Sequence, residues 1–72
     1  MNNATKVALG IIEEREKMGI RPAVVTWVEV YLKMGAHDIN AEQMTRQLND
    51  GVQKGYLLVS RGLNGQIYSK KH

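Results

Sequence analysis

Residues 40–69 read NAEQMTRQLNDGVQKGYLLVSRGLNGQIYS, and the change of period at Gly55 within them decides the fold. Asn40 has the N-cap chemistry of a helix start, with Gln43 three residues on at capping-box spacing and Ile39 and Met44 placed to staple the entry. Ala41, Met44, Leu48 and Val52 then recur on one helical face to about Lys54, where Gly55 ends the run. Beyond Gly55 the pattern is extended: Tyr56–Ser60 and Gln66–Ser69 are rich in strand formers. Between them stands Asn64-Gly65, the preferred central pair of a type I′ turn, so the stretch is expected to close as a β-hairpin.

Working back, Thr26 and Glu29 repeat the capping-box spacing, and Val28, Tyr31 and Leu32 form the expected buried stripe of a helix that Gly35 ends. A rival start at Pro22 also suits a first helical position. Ala23-Val24-Val25 is apolar and β-branched, an extended segment or one-rung strand. An amphipathic first helix runs from a cap at Asn3 or Thr5 to about Met18, with Val7, Ala8, Ile11 and Ile12 inward, and Gly19 suits a left-handed stop. The order is thus helix, short strand, helix, tight turn, helix, hairpin.

At 72 residues the chain accommodates one small domain, 1–72, which buries only about 60% of the surface its unfolded form exposes; a homodimer is a fair expectation on that ground. A composition of 43% hydrophobic and 24% charged residues is that of a folded protein. No apolar run is long enough for a bilayer, and Met1–Lys17 lacks the apolar centre of a secretory signal, so a cytoplasmic protein with no membrane partner is expected. The absence of cysteine removes thiol catalysis, disulfide scaffolds and zinc-finger chemistry. His37 has no second ligand at helical spacing and is read as a turn residue. Glu13, Glu14 and Glu16 lie on a solvated face, and no glycine motif cradles phosphate, so neither an enzyme nor a cofactor is expected.

The charge is unevenly placed. Residues 1–42 hold five Lys or Arg and six Asp or Glu, whereas residues 43–72 hold Arg46, Lys54, Arg61, Lys70 and Lys71 against Asp50 alone. The excess positive charge therefore lies where a polyanion would be met.

From Thr26 to Ser69 the chain, TWVEVYLKMGAHDINAEQMTRQLNDGVQKGYLLVSRGLNGQIYS, resembles the winged-helix family, and INAEQMTRQLNDGVQKGYLLVSR looks like the recognition helix and first wing strand of bacterial regulators. It departs from that family in the turn from Met34 to Ile39, which is longer and contains Gly35. The resemblance implies an α+β, mainly helical fold: a three-helix winged helix-turn-helix with a C-terminal hairpin as the wing. It also implies a sequence-specific regulator of transcription or replication, with the third helix in the major groove of duplex DNA and the wing on the backbone.

With Met44, Leu48 and Val52 inward, a helical wheel turns Gln43, Arg46, Asn49, Asp50 and Gln53 outward, with Gln47 and Lys54 on a flank. Amides pair with adenine and Arg with guanine, so Gln43, Arg46 and Gln47 are the candidates for base edges. Thr26, Gln53, Lys54, Arg61, Lys70 and Lys71 are the candidates for phosphates. Asp50 opposes an anion unless an ion pair with Arg46, four residues earlier, offsets it. The bland alternatives are a merely solvated face, a Thr26 that only caps and terminal lysines that only fray. Trp27 is a candidate dimer contact. The competing function is a protein-interaction module, an adaptor or an antagonist of a regulator, which Asp50 and the low total charge favour.

Overall fold

Among residues 1–35, 38–63 and 65–71, which the computed structural model describes, the chain forms three helices and a three-stranded antiparallel sheet. The expectations for His37 and for Asn64 lie outside the described residues. The elements are α1 (Asn3–Lys17), β1 (Val24–Thr26), α2 (Trp27–Met34), α3 (Ala41–Gln53), β2 (Leu57–Gly62) and β3 (Gly65–Lys70). The arrangement is α+β and mainly helical, with β3 between β1 and β2.

The helix ends follow from local chemistry. Asn2, rather than Asn3 or Thr5, caps α1 by accepting from the Thr5 N–H. Thr5 is instead fully buried. Thr26 and Glu29 form the expected capping box on α2, which excludes the start at Pro22, and Asn40 and Gln43 form the one on α3. Both α1 and α3 stop in the same way: Gly19 and Gly55 take φ of 78° and 84°, and the next residue, Ile20 or Tyr56, donates back to Arg15 or Gly51.

The core joins Ala4, Ala8 and Ile12 of α1, Val25 of β1, Val30 of α2, Ile39, Met44 and Leu48 of α3 and its entry, and Leu57 and Tyr68 of the sheet. Three expected inward positions are corrected. In α2 the inward stripe is the buried Val30 with the partly buried Trp27, Tyr31 and Met34, whereas Val28 is 48% and Leu32 72% exposed. The cause is the anchoring of Trp27, whose indole N–H donates to Thr45 Oγ1 at 3.2 Å and whose ring stacks on Tyr31 with centroids 5.0 Å apart. In α3 Ala41 is exposed, because the contacts with the rest of the chain begin one turn later, at Met44 and Thr45.

The α1–α3 seam is close. Gly51 is buried, and a Cβ placed on it would stand 2.8 Å from Cγ2 of Thr5 and closer still to its hydroxyl. The mid-helix glycine therefore serves an approach that no larger residue permits. The hairpin turn is also corrected. Gly62 pairs with Gly65, so Gly65 is a strand residue rather than a central turn residue. Gly65, at φ 116°, begins β3, and the Ile67 side chain leans over Gly62 where a Cβ would otherwise stand.

An ion pair closes the outer side of β1. Arg15 pairs with Glu29 and also donates from Nη1 to the Val24 carbonyl at 2.6 Å, while Glu29 accepts from the Thr26 N–H at 3.1 Å. Three elements, α1, β1 and α2, thus meet at two side chains. The Arg15 guanidinium holds the Glu29 carboxyl below the usual carboxylate range; burial opposes this, and the Thr26 main-chain N–H and hydroxyl add to the lowering.

Gly51→Ala should cost about 1–3 kcal/mol through overpacking against Thr5, and Thr5→Ala in the same chain should recover part of that loss, as read from urea unfolding midpoints. For Glu29 the folded carboxyl binds its proton less tightly than the unfolded one. The stability it contributes is therefore complete above the ordinary carboxylate range and lost as the pH falls through that range towards the lowered folded value. Thermal melts on the acid side should show a shallower pH dependence in Glu29→Gln than in the parent chain.

Candidate nucleic-acid interface

The rotation of α3 about its own axis decides what it presents, and α1 sets that rotation. Asn2 Nδ2 and Thr5 Oγ1 both donate to the Gln47 main-chain carbonyl, at 2.8 and 3.1 Å, and the Ala4 N–H donates to Gln47 Oε1 at 3.0 Å. Met44, Leu48 and Gly51 are buried as a result. On the opposite side Glu42, Gln43, Arg46, Asn49 and Gln53 are exposed along more than two turns.

Two of the three expected base-reading residues stand on that face. Gln43 is exposed, with its Oε1 accepting from the Asn40 N–H at 3.3 Å as the return half of the capping box. Arg46 is exposed too, and pairs with Glu42 at 3.0 Å, the two side chains being 75% and 76% accessible. Gln47 is not brought to this face: its side chain turns to the start of α1. The expected Arg46–Asp50 pair is replaced. Glu42 lies four residues before Arg46, in the favoured order of acid then base, and Asp50 is held by Lys54 at 3.2 Å and by Asn2 at 3.4 Å.

The phosphate candidates divide in the same manner. Gln53 and Lys54 are exposed at the end of α3. Arg61 is exposed on β2 opposite Gln66, whose Oε1 accepts from the Tyr68 hydroxyl at 2.7 Å, and burial pushes the Tyr68 phenol upward. Lys71 is exposed and its main-chain N–H extends the hairpin to the Tyr56 carbonyl. Lys70, by contrast, reaches back to α1, 3.5 Å from Glu13 and 3.9 Å from Glu16. Thr26 is absorbed by its capping box, with the Glu29 carboxylate 3.1 Å from its hydroxyl, where an incoming anion would be repelled. Trp27 binds α2 to α3 within the chain rather than standing free.

What the reading of residues missed is the support behind the face: Asn2, Thr5 and Gly51 on one side and the Arg15–Glu29 pair on the other. The lone glycine in the middle of an otherwise sound helix was the available signal for the first. Among the described residues no group of three or more His, Asp or Glu side chains is placed to hold a metal, and no helix is long and apolar enough to cross a membrane.

The fold and this face define a small α+β domain with an amide-rich, arginine-bearing helix surface beside a hairpin. Comparison with family models, with curated proteins and with solved structures gives no match.

Because Gln47 works inward, Gln47→Ala should lower stability by about 1 kcal/mol, the net worth of one partly buried hydrogen bond. Chemical denaturation followed by circular dichroism measures this, and Asn49→Ala, on the exposed face, should leave the midpoint nearly unchanged.

Proposed function

We propose that this chain binds duplex DNA in a winged-helix manner, with α3 in the major groove and the β2–β3 hairpin on the backbone, as a small sequence-specific regulator. The observation that carries the reading is the outward face of α3, where Gln43, Arg46, Asn49 and Gln53 are exposed together. Amides and guanidinium groups are the side chains that make bidentate contacts with purine edges. Lys54, Arg61 and Lys71, all exposed, serve phosphates at the end of α3 and along the hairpin.

The ion pairs on this surface do not oppose the reading. Pairs as accessible as Arg46–Glu42 are worth about 0–1 kcal/mol, so a guanidinium leaves its carboxylate readily for a base edge or a phosphate. Gln47 acts as a positioning residue that sets the rotation of the reading helix.

A second reading rests on one observation: Val28 and Leu32, one turn apart on α2, are exposed. An apolar pair at that spacing suits a protein partner, as in an adaptor or an antagonist of a regulator.

Fluorescence anisotropy with labelled duplex DNA over a salt series separates the two readings. DNA binding predicts a linear fall of log affinity with log salt, whereas a protein-only binder shows no binding at any salt. Arg46→Ala should cost about 1–3 kcal/mol and relax preference at one base position, and Arg61→Ala should weaken all sequences alike and reduce the salt slope by about one. An equal loss on every sequence from Arg46→Ala would refute its base-reading role.

A further inference from the structure

The two edges of the sheet are treated differently. In β1, Val25 is paired to Tyr68, so Val24 and Thr26 direct main-chain groups outward, and both are occupied: the Val24 carbonyl by Arg15, the Thr26 N–H by Glu29. At the other edge, the bond from the Lys71 N–H to the Tyr56 carbonyl sets the phase of β2. Antiparallel pairs alternate between hydrogen-bonded and non-bonded, so Leu58, Ser60 and Gly62 turn their main-chain groups to β3 and Leu57, Val59 and Arg61 turn theirs away. Among the described residues no side chain or strand meets those outward groups. Strand β2 carries no proline and one charge, Arg61, and Leu58 and Val59 are exposed. Sheets ordinarily guard such an edge, as this one guards β1.

We propose that β2 is a dimer edge, covered by β2 of a second copy of this chain, antiparallel and centred on Val59, so that two three-stranded sheets join into one. The occupant follows from the edge itself. A two-fold axis at Val59 sets Val59 against Val59 and Leu57 against Arg61, and only this register pairs all three outward residues of each copy. It also keeps like charges apart. The two Arg61 residues fall about 14 Å from each other along the strands, at 3.4 Å per residue, beyond the Debye length of about 8 Å at physiological salt. Centring one residue pair further on, at Arg61, would set guanidinium against guanidinium. The pairing uses main-chain atoms of Arg61, whose side chain stands on the sheet face beside Leu57 of the second copy. The inference stands on the sheet and does not depend on DNA binding.

Sedimentation velocity across a concentration series tests it on the intact chain. The parent protein should move from the 8.1 kDa of one chain towards twice that mass as concentration rises. Val59→Glu and Val59→Lys should each sediment as monomers at every concentration, with at least a tenfold weaker self-association, because identical charges meet on the axis. An equimolar mixture of the two should associate again. Since Val59 is half exposed and its N–H points away from β3, both variants should keep the parent circular dichroism spectrum. As a register probe, Val59→Cys, in a chain with no other cysteine, should oxidise to a covalent dimer, the facing Cα atoms being about 5.5 Å apart. A parent chain that stays monomeric throughout, or folded Val59→Glu and Val59→Lys chains that dimerise as well alone as mixed, overturns the proposal.

Discussion

The contact between Thr5 and Gly51 governs the rest of the molecule, because it sets how near α1 and α3 can lie and therefore which side of α3 remains free. With no side chain at Gly51, the Thr5 hydroxyl reaches the carbonyl of Gln47, and Asn2 and Ala4 add donors to the same residue. Four bonds from three residues of one helix start hold a second helix in rotation as well as in position when the Asn2–Asp50 contact is included. Rotation is what a recognition surface requires, since a shift of one residue around a helix moves a side chain by about 100°.

The opposite flank is secured by charge. Arg15 and Glu29 connect α1, the outer edge of β1 and the first turn of α2, while Trp27 carries α2 across to α3 through Thr45. The third helix is thus buttressed from two directions within the chain. The same distribution explains why part of the C-terminal positive charge is not available to an anion: Lys70 is turned to the acidic side of α1, leaving Lys54, Arg61 and Lys71 exposed near α3 and along the hairpin.

Much of this was legible in the residues wherever the signal was local. Capping boxes at Thr26 and Asn40, left-handed stops at Gly19 and Gly55, and strand formers after Gly55 act over three to five residues, and each stands where expected. Misread positions depended on distant partners. Val28 and Leu32 had the periodicity of a buried stripe, but so did Trp27, Val30, Tyr31 and Met34, and only the Trp27–Thr45 bond selects between them. Gln47 resembled its outward neighbours until the start of α1 claimed its amide. Gly65 was expected in the turn and instead pairs with Gly62 as the first residue of β3.

Duplex DNA, if it docks as proposed, meets the freed face of α3 and the adjoining hairpin together. Amide chemical shifts of the ¹⁵N-labelled chain, followed as duplex DNA is added, test it residue by residue. Docking on that surface should shift Gln43, Arg46, Asn49 and Gln53 and the stretch from Ser60 to Gly62 progressively, with α1 unmoved. Shifts confined to Val28 and Leu32, or none at any DNA concentration, would contradict it.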